Sequence, residues 1–363
     1  MSLSSSFNTW VALSWAKMVV AVVVTWTCVE PATCKRDAEG AAAGIHDDYM
    51  PGMRCSAERI AGILRAKPHR NSNCPVTQAW VDVLLDETAD MPSATVVSIG
   101  CNKGDDFIFQ MRDWSGNSTY APMVYKALAE SIFNDSLTSP RSCTLRADTV
   151  REFPYHARPT RGYCIEPLPR TFIFLEACMQ ELQYLGPVKL VEAAMSSVHG
   201  TALFPDAEAG RECFGLDFDP ENNPYGTVEV EVKTLDSLMR SESIETIDFL
   251  SIDAEGHDVR VLLGALHTLA AHKIRYFEFE YSEHGKWATS DLEDVIDMLD
   301  HFGYDCYWAL NSGGLSRLTG CWHPTYAAEA FWSNIACISR RQSRTHARMQ
   351  EIADVSHGGI VSR

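Results

Sequence analysis

The sequence predicts an α/β protein: a seven-stranded, mostly parallel, doubly wound sheet with one antiparallel edge strand. Three observations lead there. Short β-rich runs recur from Thr95 to Ser339. Several are apolar almost throughout, as strands covered on both faces must be. The stretches between them carry apolar residues at helical spacing, and strand–helix–strand repetition folds into a parallel sheet.

The elements run as follows. Residues 54–92 read as a helical cap: Ala79–Asp86 has apolar residues at helical spacing, and Pro92 ends the unit. The seven strands are Thr95–Gly100, Gly162–Glu166, Val188–Ala193, Ile247–Asp253, Ile274–Tyr281, Tyr304–Leu310 and Asn334–Ser339. Amphipathic helices are expected at Leu168–Leu185, with Leu168, Phe172, Leu175 and Met179 on one face, and at His257–His272 and Leu292–Phe302. The last strands follow one another closely, which suggests the antiparallel edge. Two stretches break the rhythm. Residues 112–161 form an insertion far longer than an ordinary connection. Residues 204–226 are loop-like, and both stretches adjoin the carboxyl ends of strands, where open α/β sheets bind ligands. They are either lids and substrate walls or surface insertions.

The N-terminus is apolar from Trp10 to Cys28, and Lys17 interrupts it. The clean run after Lys17 is about ten residues, the length of a signal-peptide h-region. With Lys17 snorkelling, the same stretch serves as a single N-terminal membrane anchor. The limits are therefore a leader at 1–28, a linker at 29–53, the cap at 54–92, the main domain at 93–340 and a polar tail at 341–363. Two sequons, at Asn117 and Asn134, and 12 cysteines fit a secretory lumen. Cys34, Cys55, Cys74, Cys143, Cys213 and Cys321 lie outside the core strands and are the expected disulfide partners, with pairings left open. The chain contains no CxxC pair, so a structural zinc site has no support and no metal ligand set is assigned. A formal net charge of −17 repels phosphate backbones and argues against a nucleic-acid partner. Oligomeric state leaves no sequence signal.

Four motifs carry chemistry. The first, Val96–Asp106 (VVSIGCNKGDD), is a buried strand, a turn with Gly100 and Gly104, and a helix start. Gly100 lets backbone approach closely, and the helix offers free N–H groups. The second is Glu166, at the tip of the next strand, where a carboxylate can accept both hydroxyls of a ribose. The third, Ile247–Asp258 (IDFLSIDAEGHD), delivers Asp253 and Glu255 at a strand end. Carboxylates so placed raise each other's pKa and can act as a base. The fourth, Tyr276–His284 (YFEFEYSEH), holds Glu278 and Glu280 in an apolar strand, where an acid is costly unless paired or functional. Glu280, near the strand end, is the site candidate and Glu278 the structural one. His257 and His284 are further proton acceptors, although a lone histidine is more often structural than catalytic.

The order and spacing of these segments resemble the FkbM-type methyltransferases. Ile247–Ala265 is the most telling stretch; SIGCNKGDD at 98–106, IEPLP at 165–169, VEAAMSSVHGTALF at 191–204 and VEVKTLDSL at 230–238 support it. The resemblance covers about 95–310. It implies a Rossmann-like methyltransferase fold, S-adenosyl-L-methionine as cofactor, and O-methylation of a sugar or small metabolite. It further implies that Gly100, Asn102 and Gly104 line the methionine and ribose part, that Glu166 binds the ribose, that Ala194 and Met195 lie near the adenine, and that Asp253 and Glu255 face the methyl. Ser98 stands where the family usually has an acid, and Ser251 where a lysine is common. Those departures motivate a second reading, a catalytically silent binding protein on the same fold. A third, a nucleotide-sugar enzyme, has only Asp217-Phe218-Asp219 in its favour, in a Pro- and Asn-rich loop.

Overall fold

The computed structural model describes residues 54–66, 79–133, 157–282, 285–310, 313–326 and 333–356. The leader, the linker, His284, the Asn134 sequon, Cys34, Cys74 and Cys143 lie outside the described residues, as does the end of the polar tail.

All seven expected strands form, each within two residues of its predicted bounds. They are β1 (Ala94–Ile99), β2 (Thr160–Glu166), β3 (Val188–Glu192), β7 (Ile247–Ile252), β8 (Ile274–Tyr281), β9 (Tyr304–Ala309) and β11 (Ser333–Ser339). An eighth short strand, β10 (Leu315–Arg317), joins them. The order is β10-β9-β11-β8-β7-β1-β2-β3. β1 pairs in parallel with β2 and with β7, β2 with β3, and β7 with β8. The antiparallel strand expected at the edge is β11, and it sits two strands inward, between β8 and β9. The edge itself is β10, antiparallel to β9. Three more strands were not anticipated: β4 (Ala194–Met195), β5 (Gly200–Pro205) and β6 (Thr227–Lys233) make a small separate sheet in the order β4-β6-β5. β5 and β6 are a hairpin with a half-exposed face, so they lack the continuous apolar run that marks a buried strand.

The helices cover both faces. α1 (Ala57–Ala66) and α2 (Ala79–Glu87) lie in the cap stretch; α3 (Asp105–Ser115) and α4 (Pro122–Phe133) follow β1; α5 (Pro169–Glu181) follows β2, with Pro169 at its first position. After β6 come α6 (Leu235–Ser241), α7 (Asp258–Leu263), α8 (Leu266–Ala270), α9 (Leu292–His301) and α10 (Ser343–Ser356). The single helix expected over 257–272 is broken at Gly264-Ala265. Asp236, in α6, accepts from the Thr268 amide (2.9 Å) and thereby starts α8 as a separate turn. Neighbouring residues of each strand divide between the two layers. Val96, Phe249, Tyr276 and Tyr307 pack with α2, α3, α5 and α10. Val97, Leu250, Phe277 and Trp308 pack with α6, α7 and α9.

Three disulfides occur among the described residues. Cys55–Cys321 joins two of the expected partners. Cys101–Cys164 and Cys306–Cys337 correct the expectation that bridges avoid the strands. Cys306 and Cys337 are register partners on β9 and β11, with Cα atoms 4.1 Å apart. Such proximity is typical of a non-hydrogen-bonded antiparallel pair, so a bridge there needs no backbone movement. Disulfides of this kind persist in oxidising surroundings. No helix among the described residues is long and apolar enough to cross a membrane.

A buried charge network fastens α10 to the far end of the sheet. Asp305, wholly buried in β9, accepts from Arg317 (2.6 Å), Arg340 (2.7 Å) and His346 (2.6 Å). Burial alone would raise its pKa. The His346 hydrogen bond and the two guanidinium charges overcome that and hold it at about 2. A carboxylate depressed in the folded state adds stability that is complete above its ordinary pKa and is lost as pH falls through the folded value. Urea denaturation should therefore show about 2 kcal/mol of this site's stability disappearing between roughly pH 5 and pH 2. Asp305→Asn should remove that component and, by leaving Arg317 buried without its carboxylate while Arg340 keeps Asp300, lower stability at pH 7 by about 3–5 kcal/mol.

Candidate functional site

Chain order reverses at β1: β2 and β3 build to one side, and β7 and the later strands to the other. Ligands in open α/β sheets bind at such a switch point, outside the carboxyl ends. The registers bring the sequence-predicted residues together there. Ile99 pairs with Ile165 and Ile252, and Ile252 with Phe279. One residue further along, Glu166, Gly100, Asp253 and Glu280 therefore stand in one row across four strands. Glu192 extends the row at one end and Asn334 at the other.

Gly100 has φ +80° and is required by its neighbour. A Cβ there would lie 1.7 Å from the Asp253 carbonyl oxygen, so the close approach that Gly100 permits is to β7. The Asp253 amide in turn donates to Ile99 (2.9 Å). Asn102 follows with φ 45°, and Gly104 closes the turn by donating to Cys101 (2.8 Å). Glu166 pins this loop from below: Oε2 accepts from the Asn102 amide and Oε1 from the Leu168 amide, both at 2.9 Å. Burial pushes its carboxyl up to about 7, and the two amides offset part of that. A carboxylate has about four lone-pair sites, so two remain for a ligand. Asn102 Oδ1 is buried without a partner. The Cys101–Cys164 disulfide ties the same loop to the middle of β2.

Asp253 exposes more than a third of its surface, yet burial raises its pKa well above the carboxylate range. Glu280, Glu255, Asp258 and Asp106 then add to the shift, in that order. Glu280 is itself buried. Asp258 is fully buried and closes the turn after β7, accepting from the Gly256 amide (3.2 Å) and the Ala254 amide (3.4 Å). Among the described residues no cluster of ligands suits a metal ion.

The other candidates are placed differently. Glu255, at φ 52°, accepts from the Cys213 amide (2.9 Å). His257 is engaged at both nitrogens: Nδ1 lies 2.6 Å from Asp217 Oδ2, and Nε2 lies 2.9 Å from Ser196 Oγ. Asp217 also pairs with Lys286 (3.0 Å). Burial opposes its charge, but the His257 and Lys286 bonds hold its carboxyl below the ordinary value. Ala194 and Met195 form β4 and are buried in apolar clusters. Glu278 is structural: it accepts from Tyr276 and from Trp80 Nε1 (3.4 Å) of the cap. Sequence reasoning missed Ser196, Asp217 and Lys286. Asp217 had been weighed only as half of a sugar-nucleotide motif, and no spacing links it to His257, 40 residues on. Ser98 and Ser251 prove to be register partners, two residues below Gly100 and Asp253.

The Cys101–Cys164 bridge closes a long stretch of chain, the case in which cross-linking most restricts the unfolded state. Replacing both cysteines by serine should cost about 2–4 kcal/mol in thermal or urea denaturation. Hydrogen exchange should rise at residues 100–104 before it rises elsewhere in β1.

A profile of the family described as the methyltransferase FkbM domain matches residues 68–306, well over half of the chain. The 2-O-methyltransferase NoeI of Sinorhizobium fredii is 26% identical over 154 residues, which are 39% of this chain and 61% of that protein. The match thus spans less than two thirds of the relative's length. Among solved structures, the METTL16 methyltransferase domain is 10% identical with TM-score 0.33, covering 72% of this chain and 65% of that one. A human methyltransferase 10 domain-containing protein is 7% identical with TM-score 0.32, covering 72% and 79%. Superpositions that loose carry no weight for fold or function. The family profile and the motif-bearing strands agree with each other: the chain belongs to the methyltransferase FkbM domain family.

Proposed function

We propose that this protein uses S-adenosyl-L-methionine to methylate a hydroxyl group of a sugar or small metabolite. The observation that carries the reading is the row Glu166–Gly100–Asp253–Glu280 at the switch point of the sheet. The residues present fit the cofactor. Glu166 has lone pairs left for ribose hydroxyls. The buried, unpartnered Asn102 Oδ1 suits an ammonium donor. The acid-lined cleft favours a cationic sulfonium. When bound, the cofactor supplies an electrophilic methyl group. Ala194 and Met195 flank the adenine in this reading, by family resemblance alone.

The chain's own task is to hold an acceptor oxygen in line and to take its proton. Asp253 is the proposed base. Burial and, after it, the Glu280 charge raise its proton affinity well above that of an ordinary carboxylate, as a proton acceptor requires. Glu280 modulates it as the adjacent carboxylate. The hydroxyl acceptor is supported by the distant kinship with a 2-O-methyltransferase. The apolar leader, the sequons and the disulfides support a secretory location, with a glycan or secreted metabolite as acceptor. The silent-scaffold reading rests on Ser98 and Ser251. Both lie beneath the row, in the layer under Gly100 and Asp253, and they face each other, so they are one local change rather than two.

Isothermal titration with S-adenosylmethionine and S-adenosylhomocysteine tests the cofactor. Micromolar binding is expected, and Glu166→Ala should abolish it. Absence of binding by a folded sample would leave the silent scaffold as the better description. Glu166 titrates from a raised value, and its ionised form is the hydrogen-bond acceptor. Binding should accordingly strengthen as pH rises from about 6 to 8, and Glu166→Gln should flatten that dependence. With an active acceptor in hand, Asp253→Asn should lower kcat by roughly 10²–10⁴-fold while leaving cofactor affinity within a few-fold. Undiminished turnover would remove Asp253 as the base.

A further inference from the structure

We propose that residues 210–217 form a strap closed over the cofactor cleft, and that Glu212, Asp217 and His257 are positioning residues that hold it shut. The inference rests on the cofactor reading above and adds a part to it. The strap is the tip of the β5–β6 hairpin. The hairpin's neck is pinned where the Asp206 amide donates to Gly226 (3.1 Å).

Successive strap residues touch the strand tips from one side of the row to the other. Beyond Glu166, the Gly210 amide donates to Thr171 Oγ1 (3.0 Å) at the start of α5. Over the β1 turn, Asn102 Nδ2 donates to the Arg211 carbonyl (3.4 Å), and Lys103 pairs with Glu212 (2.5 Å). At β7, the Cys213 amide donates to Glu255 (2.9 Å). Gly215 lies so close to that turn that a Cβ would stand 2.7 Å from the Ala254 carbonyl oxygen. Beyond the row, Asp217 reaches His257 (2.6 Å) and, through its other oxygen, Lys286 (3.0 Å). His257 carries the tie onward to Ser196 at the end of β4 (2.9 Å). Eight residues thus run past the carboxyl ends of β2, β1 and β7, touching Thr171, Asn102, Lys103, Glu255 and His257, the neighbours of Glu166, Gly100 and Asp253.

The apolar strap residues Phe214 and Leu216 pack on a cluster made of Phe204, Val230 and Val232 from the hairpin, Ala194 from β4 and Leu168 just before α5. The ties to the cleft are instead ion pairs and single hydrogen bonds. The partly exposed Glu212–Lys103 pair is made and broken in water at little net cost, whereas the nearly buried Asp217–His257 pair is the stronger latch and the hairpin base is held by burial. The strap can therefore lift from the strand tips while its sheet stays folded, and a ligand enters or leaves when it does. On this geometry Glu255 and His257 serve closure, and the chemistry falls to Asp253.

The test is stopped-flow binding of S-adenosylhomocysteine to the full chain, comparing wild type with Asp217→Asn and Glu212→Gln. Loss of one charged tie should speed both association and dissociation by about tenfold, with the equilibrium constant moving less than either rate. A merely structural defect would weaken binding without speeding entry. Variants that bind and release at wild-type rates would overturn the proposal. If Asp217→Asn fails to fold, Glu212→Gln carries the test, because its side chain is 36% exposed and its pairing is peripheral. No binding by folded wild type would instead sink the cofactor reading, and the strap's role with it.

Discussion

Pairing register is the constraint on which the site depends. Glu166, Gly100, Asp253 and Glu280 come from segments as far apart as 100 and 280, and only the alignment of β1 with β2, β7 and β8 sets them level. A slip of one residue in any pair would send that strand's acid to the opposite face. What prevents the slip is burial on both sides. Val96 and Val97, or Tyr276 and Phe277, are neighbours in sequence and belong to different hydrophobic layers, so no alternative register keeps both buried. The bond from the Asp253 amide to Ile99 and the absent side chain at Gly100 then lock β1 against β7 at the point where the row begins.

The same sheet treats its carboxylates in two opposite ways. Asp305 is given two guanidinium groups and a histidine, and its pKa falls. Asp248, at the other end of β7, pairs with Arg275, yet burial outweighs that charge and its pKa rises. At the cleft, Asp253 and Asp258 meet burial and further carboxylates, and both rise. Carboxylates on one sheet thus differ in proton affinity by what surrounds them, and a group of raised acids at strand ends is the arrangement expected of a candidate site.

Much of this was legible in the sequence. The apolar runs at 95–100, 247–253 and 274–281 announced buried parallel strands, and the acids at their ends stood out because so few residues there are polar. Glu166 and Asp253 were found in that way. The hidden parts share a physical cause. β5 and β6 form a half-exposed hairpin, whose alternation is diluted by surface-facing residues. Asp217 and Ser196 matter only through His257, and contacts made by tertiary folding leave no local spacing to read. Burial of cysteines in adjacent strands was likewise invisible, since Cys164 and Cys306 resemble ordinary small core residues until a register places a partner opposite.

The place of β11 has a consequence for how the molecule is made. β8 and β9 follow each other in the chain but never touch as neighbours, because residues 333–339 lie between them. During synthesis the growing chain therefore presents β8 as an open edge, with Phe277 and Phe279 on it, until the segment carrying β11 has emerged. The nascent sheet is incomplete for that interval and exposes unpaired backbone, the condition under which chains recruit chaperones or aggregate. Once β11 slides in and Cys337 meets Cys306, the cross-link records that the insertion has taken place. The far half of the sheet is thus finished late and then covalently sealed, whereas the glycine turn between β1 and α3 can form early in translation.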